Sequence, residues 1–520
     1  MVNLAIIFHM HQPYYKNLLT RETPVPWVRF HGTKDYLDMV KELEDFPDIK
    51  LTFNLVPSLI EQIQDYSKKN VIDKFLVLSR KPVIELTHEE KDFIRESFFM
   101  INPDTVINRH PRYYELFLKK QSMKAYTQQD YLDLQVWFNL AWTDPYFRER
   151  IPELKAAEAK GRFYTEQEKQ IILKKHLAIL EDILPTYKEY LQKGRIEVAI
   201  SPYYHPILPL LYNTTIAKEA NINTVLPKVQ FSYPADAKAQ IKEGITMYKS
   251  IFGQPPTGMW PSEEGVCEHI IPYFIQNGIR WIVTDEGILF KSLKMKKRNS
   301  RLVYQPHLLK RKEGELSIVF RDRNLSDMIG FVYNKWRAED AVKNFIGHLR
   351  NIDNAFKGED VLVTIAMDGE NAWEYYPNDG HDFLRALYKG LSEEKNIRTV
   401  TVNDYLNAHP PKRRIRRLSA GSWIYSEFFR WIGNPYKNKA WEYLTAAREE
   451  LKKLKRRSLP AKTIKLAVKQ MYIAEGSDWF WWYGDNQEDF DRMFRMHLSN
   501  FYTIIGKPIP EYLNRSLYID

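Results

Sequence analysis

The sequence predicts an α/β protein: a parallel barrel, interrupted by a large helical insertion and followed by a helical unit. Three observations predict it. Short apolar runs at residues 4–8, 51–55, 196–200, 281–284, 317–320, 361–367 and 399–402 alternate with long helical stretches, which implies βαβ units and a mainly parallel sheet. The run at 361–367 reads Val-Leu-Val-Thr-Ile-Ala-Met, almost wholly apolar, as a strand covered on both faces must be. Seven such runs, or eight with 258–260, favour closure into a barrel over an open sheet. A chain of 520 residues can bury a core of that size and hold more than one unit.

The first strand ends in His9-Met10-His11-Gln12-Pro13, with two histidines at i and i+2 on one face. They could share a ligand. Zinc is the sharp reading, but His88 is followed by Glu89-Glu90-Lys91-Asp92, so no HExxH motif exists, and one cysteine leaves only His and carboxylate ligands. Hydrogen bonding to sugar hydroxyls is the better reading, and no metal or cofactor is expected.

Residues 57–193 are too many for a simple crossover and read as helical, an insert expected to wall one side of a cleft. Thr87…Glu90 and Thr165…Glu168 have capping-box spacing. The helix after Thr165 is expected to break near Pro185. In the third strand Glu197 sits inside an apolar run, where it needs a partner: it binds a hydroxyl, orients a catalytic group or forms a structural ion pair. Tyr203, Tyr204 and His205 follow where that strand opens into a loop, which suits substrate contacts.

Two strand ends carry paired acids. In Gly258-Met259-Trp260-Pro261-Ser262-Glu263-Glu264, adjacent side chains face opposite ways, so one acid enters the cleft; alternatively both cap the following helix. In Asp368-Gly369-Glu370-Asn371-Ala372-Trp373-Glu374, Asp368 and Glu370 share a face unless Gly369 turns the chain. Spacing alone chooses in neither pair. Asp285-Glu286-Gly287 and Arg321-Asp322-Arg323-Asn324 end two further strands and read as supporting charges. Beyond 402 the strand signal ends. Pro410-Pro411 and a basic cluster read as a linker between a barrel unit, 1–410, and a helical unit, 411–520. The tract Asp478-Trp479-Phe480-Trp481-Trp482 is too aromatic for one core face, so part of it lines a cleft or a seam. Trp423 raises the same question. Paired acids beside an aromatic wall are the parts needed to break a glycosidic bond.

Composition narrows the class. Hydrophobic residues at 44% and charged residues at 27% mark a soluble globular protein, and the aromatic content is high at 14%, most of it expected to pack the core. The single Cys267 excludes an internal disulfide, no signal peptide or apolar span is evident, and a cytoplasmic location is expected. The net charge of +10 includes basic clusters at 412–417 and 452–457. Neither accompanies a recognition motif, so solvated surface is the reading, with no nucleic acid and no membrane as partner. The Lys, Glu and Arg content suits a thermophile.

Taken in order, these segments resemble glycoside hydrolase family 57, in its amylopullulanase and α-amylase-like branch. His9 to Pro13 is similar to that family's first motif, Gly194 to Val198 to the second, Gly258 to Glu263 to the third, Asp368 to Asn371 to the fourth and 474–484 to the fifth. The resemblance implies an incomplete (β/α)7 barrel acting on an α-glucan or maltooligosaccharide with retention. It selects Glu263 as nucleophile and Asp368 as general acid/base, with carboxyl groups roughly 5–5.5 Å apart. Substrate contacts are expected from His9, His11, Gln12, Glu197, Tyr203 and His205. Trp260, Glu370, Trp373, Asp478, Trp479 and Trp482 complete the expected set. Hydrolysis of α-1,4 bonds, with α-1,6 as a further candidate, is favoured over 4-α-glucanotransfer or branching by the same two acids. The number of subunits is not set by the sequence.

Overall fold

The structure, a computed structural model, describes residues 1–370, 372–454 and 459–518. Asn371 and residues 455–457 of the second basic cluster lie outside the described residues. Seven parallel strands form the ring: β1 (Val2–Met10), β2 (Leu51–Leu55), β3 (Ile196–Ile200), β4 (Gly258–Met259), β5 (Trp281–Asp285), β6 (Gly314–Arg321) and β7 (Val361–Asp368). They pair in the order β7-β1-β2-β3-β4-β5-β6. The ring closes between β7 and β6 through the single pair Thr364↔Arg321, whereas β1 and β7 share eight pairs from Val2↔Val361 to His9↔Asp368. With seven strands in place of the eight of a full (β/α)8 barrel, the barrel is incomplete.

The two-residue period of the strands sorts their side chains. Ala5 and Ile7 of β1, Ala199 of β3, Trp281 and Val283 of β5, Val319 of β6 and Leu362 and Ala366 of β7 fill the barrel interior. Continuing the same rows places His9 and Asp368 inward at the C-terminal mouth, side by side in register. It places Glu197 inward at the opposite end. A second, larger core joins the outer strand faces to the insert and to the C-terminal helices, reaching from Val2 to Leu517 without a break.

Three expectations are corrected. The strand at 399–402 is Ile397–Thr399, paired with β1 outside the ring, because Thr401 caps a helix over Val402–Ala408 by accepting from the Asp404 N–H. That helix seals the barrel floor with Val402, Tyr405 and Leu406. The helix Glu166–Gln192 runs straight through Pro185. Pro185 and Glu181 are exposed, so the carbonyl that proline leaves unpaired faces water, while Ile183, Thr186, Tyr187 and Tyr190 hold the helix to the core. The basic segment at 412–417 is an edge strand rather than a linker: Arg413–Arg414 pairs with His307–Arg311, and Ile415 is buried. Both capping boxes, at Thr87 and Thr165, form as expected. Among the described residues no helix is long and apolar enough to cross a membrane.

Candidate active site

A cleft of about 350 Å³ opens at the C-terminal mouth of the barrel, where the inward rows of β1 and β7 run out. His9, His11, Gln12, His205, Glu263, Asp368, Glu370 and Asp478 line it, with an aromatic wall of the partly exposed Trp27, Trp423, Trp481 and Trp482, behind which Trp142 is buried. A larger cavity, about 530 Å³, lies in the insert among Arg109, Arg112, Arg148 and Arg162. Its acids, Glu115, Glu158 and Asp379, are each paired with an arginine or lysine, so chemistry rather than volume identifies the site.

Glu263 is aimed by a tight left-handed turn. Both Glu263 and Glu264 adopt positive φ, 57° and 52°, a conformation that costs energy in non-glycine residues and that surrounding contacts must enforce. The turn, not strand alternation, separates the two acids. Glu263 enters the cleft, where its Oε2 accepts from Trp423 Nε1 at 2.9 Å and its Oε1 from Ser477 Oγ at 3.3 Å. Glu264 turns into the protein, wholly buried, with no hydrogen bond to either oxygen. Burial pushes the Glu264 carboxyl well above the usual range even with Arg321 nearby.

Asp368 ends β7, and the chain then crosses tightly over β1. Gly369 N–H donates to His9 O at 2.8 Å, and a Cβ at position 369 would collide with the Met10 side chain. This crossing sends Glu370 beneath the loop, where its Oε1 accepts from the His11 backbone N–H at 2.7 Å and from Tyr36 Oη at 2.8 Å. The ambiguity between Asp368 and Glu370 is thereby a difference of partners: Glu370 is buried and doubly bonded, and Asp368 is left open to the cleft.

The two open acids share an unusual electrostatic setting. Burial, then the charges of Asp368 and Asp478, push Glu263 up to about 8. Burial pushes Asp368 up to about 6, with His11 and Arg321 pulling it back. Two acids this close titrate as a pair, with apparent values near 6 and 8.

Three histidines stand opposite. His9 is held neutral, lowered to about 3 by burial and then by His11. Its Nδ1 donates to Asn54 Oδ1 at 2.6 Å, an oxygen that also accepts from Ser201 Oγ, and its ring stacks on Trp260 at 4.8 Å. His11 Nε2 meets Asp478 Oδ1 at 2.8 Å, and its ring stacks on His205 at 4.0 Å. His205, at φ 56°, is also held well below the ordinary histidine value by burial and the other two imidazoles.

Five of the expected contacts are not in the cleft. Glu197 lies at the barrel floor, saturated by Thr257 Oγ1, Trp281 Nε1 and the Asn403 backbone N–H, each at 2.9 Å. Tyr203 donates to Glu61 outside the barrel. Trp260 is buried beneath His9, Trp373 packs on Phe8, and Trp479 is buried with its Nε1 on Ile473 O. An aromatic ring without exposed face cannot stack on a sugar. Conversely, Asn54, Ser477 and Trp27 belong to the site and Trp142 backs it from a buried position, none of them expected there, whereas Trp481 lies in the aromatic tract expected to line a cleft in part. Asn54 could have been found as a lone amide ending a buried strand; Trp27 and Trp142 carry no local signal.

The family model described as Glycosyl hydrolase family 57 matches residues 5–417. Over 115 residues the chain is 30% identical to Alpha-amylase 1 of Dictyoglomus thermophilum, a match spanning 21% of this chain and 14% of that enzyme. Among solved structures, a branching enzyme of Thermococcus kodakaraensis superposes with a TM-score of 0.64 at 15% identity, covering 96% of this chain and 90% of that one. An alpha-amylase of Thermotoga maritima superposes with a TM-score of 0.62 at 15% identity, covering 98% and 95%. At these identities the superpositions establish a shared fold.

Proposed function

The chain belongs to glycosyl hydrolase family 57, and on that premise we propose that it is a retaining α-glucan hydrolase, cutting α-1,4 bonds with α-1,6 bonds as a further substrate. One observation carries the reading. Glu263 and Asp368 open into a single cleft, each held above the ordinary carboxylate range, beside exposed aromatic faces. The names of the similar enzymes, an alpha-amylase and a branching enzyme, support an α-glucan.

The chemistry needs Glu263 ionised and Asp368 protonated, although burial and its neighbours push Glu263 the higher of the two. Sugar hydroxyls entering the site supply donors to Glu263, and positive charge developing at the anomeric carbon favours its ionised form. Glu263, oriented by Trp423 Nε1 and Ser477 Oγ, attacks that carbon while Asp368 gives its proton to the leaving oxygen. Asp368, now a carboxylate, then takes a proton from water as the water oxygen attacks the same carbon and frees Glu263. His11, Asp478 and Gln12 are placed to bond ring hydroxyls, and Trp481 and Trp482 to stack neighbouring sugars.

Maltoheptaose incubated with the purified protein, without added metal, tests this by product length. Products all shorter than substrate support hydrolysis. Longer products beside shorter ones replace it with 4-α-glucanotransfer or branching, in which a sugar hydroxyl takes the place of water. An unchanged substrate removes the α-glucan assignment.

A further inference from the structure

We propose that His11, His205 and Asp478 form a binding site for one divalent transition-metal ion of the zinc type, whose occupancy excludes the sugar. The three offer ligand atoms that all lie within 4.8 Å of one another. A tetrahedral ion with bonds of about 2.0–2.1 Å needs its ligand atoms roughly 3.3–3.4 Å apart, so the site closes around an ion with small side-chain movements. His11 Nε2 and Asp478 Oδ1, now 2.8 Å apart, would separate by half an ångström or so as the ion replaces the proton between them.

His205 supplies the second, independent observation. Ser477 Oγ donates to Glu263 Oε1, so toward His205 it accepts, and the Nδ1 proton points at it over 3.0 Å. That leaves the lone pair on Nε2, an atom that is buried and has no hydrogen-bond partner. An imidazole with one nitrogen engaged by a neighbour and the other presenting an unused lone pair is in the state that metal-bound histidines adopt. Two imidazoles and one carboxylate favour zinc, copper or nickel over magnesium or calcium. Three protein ligands leave one tetrahedral position for water from the cleft.

Two of these groups, His11 and Asp478, are those assigned above to sugar hydroxyls, so the ion is an inhibitor that competes with substrate. That consequence rests on the proposed function; the binding itself does not. Calorimetric titration of the full chain, first stripped with chelator and free of glucan, is expected to show one Zn²⁺ per chain and no binding of Mg²⁺. His205→Gln and Asp478→Asn should each weaken Zn²⁺ binding at least tenfold, and saturating maltotriose should weaken it in the unaltered protein. Co²⁺ in the unaltered protein should give the intense visible absorption of a tetrahedral site, a readout that does not require either variant to fold. Absence of Zn²⁺ binding, Zn²⁺ affinity unchanged in both folded variants, or an octahedral Co²⁺ spectrum would overturn the proposal. Zn²⁺ binding by a protein inert toward every glucan would leave the metal site standing and remove only the competition with substrate and the glucan reading.

Discussion

Glu263 and Glu197 are glutamates of the same barrel, one partly exposed at its mouth and one buried at its floor, and their surroundings differ in kind. Glu197 accepts three hydrogen bonds, from the Thr257 hydroxyl, the Trp281 indole and the Asn403 backbone N–H. Glu263 is the first of two consecutive left-handed residues, faces a cavity, and is pushed up by its low-dielectric surroundings and then by two neighbouring acids. The floor spends its polar groups on closing the barrel. The mouth keeps a charge unsettled, and a group kept unsettled is one that can react.

The sharpest way to break this contrast is to neutralise each acid in turn. Glu263→Gln and Asp368→Asn are expected to lower kcat on maltoheptaose by about 10⁴-fold, roughly 5 kcal/mol of transition-state stabilisation. Glu197→Gln should leave kcat within about threefold, since its carboxylate reaches no reacting atom. Comparable losses in both would erase the distinction.

Aromatic residues extend the comparison from charge to packing. Trp479 and Trp482 lie three residues apart on one short helix, Ser477–Trp482, yet one is buried and the other lines the cleft. Trp479→Ala should cost about 3–5 kcal/mol in denaturant unfolding. Trp482→Ala should cost little stability and raise KM about fivefold to tenfold, a stacking contact of order 1 kcal/mol.

These contrasts also show what the sequence made legible. Strands buried on both faces stand out as apolar runs, and all seven ring strands were found that way or from the motif at 258–260. The helix start at Val402 was hidden because an apolar pair, Val400 and Val402, overlaps the Thr401…Asp404 capping signal. At the site, the family resemblance was needed to choose Glu263 and Asp368, while the two acid pairs and all three histidines came from types and spacing. They could not distinguish Trp479 from Trp482, since a helix carrying rings on every side decides its inner face only against its neighbours. Nor could they place Glu197, because a lone acid inside an apolar strand looks the same at the floor as at the mouth.

A smaller effect separates the two glutamates in stability. In Glu197→Gln the new amide NH₂ meets the donors that now point at the carboxylate, at a cost of about 1–3 kcal/mol by thermal or denaturant unfolding. Glu263→Gln should behave oppositely at alkaline pH. Its folded value of about 8 lies above the unfolded value of about 4.3, so the fold binds that proton more tightly. Stability from this group is complete below the unfolded value and is lost as pH rises through the folded one. The variant should therefore melt a few degrees above the unaltered protein at pH 9 and no higher at pH 4, a gain on the order of 1–3 kcal/mol. The same pair predicts a bell-shaped kcat/KM with limbs near 6 and 8, whichever acid holds the proton.

The most direct test of the central claim is to trap the covalent intermediate. A maltosyl fluoride carrying fluorine at C2 of the reacting sugar slows the second step, and peptide mass spectrometry locates the adduct. The account predicts one maltosyl group on Glu263, accumulating further in Asp368→Asn. An adduct on Glu264, or turnover of glucan with inversion and no adduct at all, would contradict it.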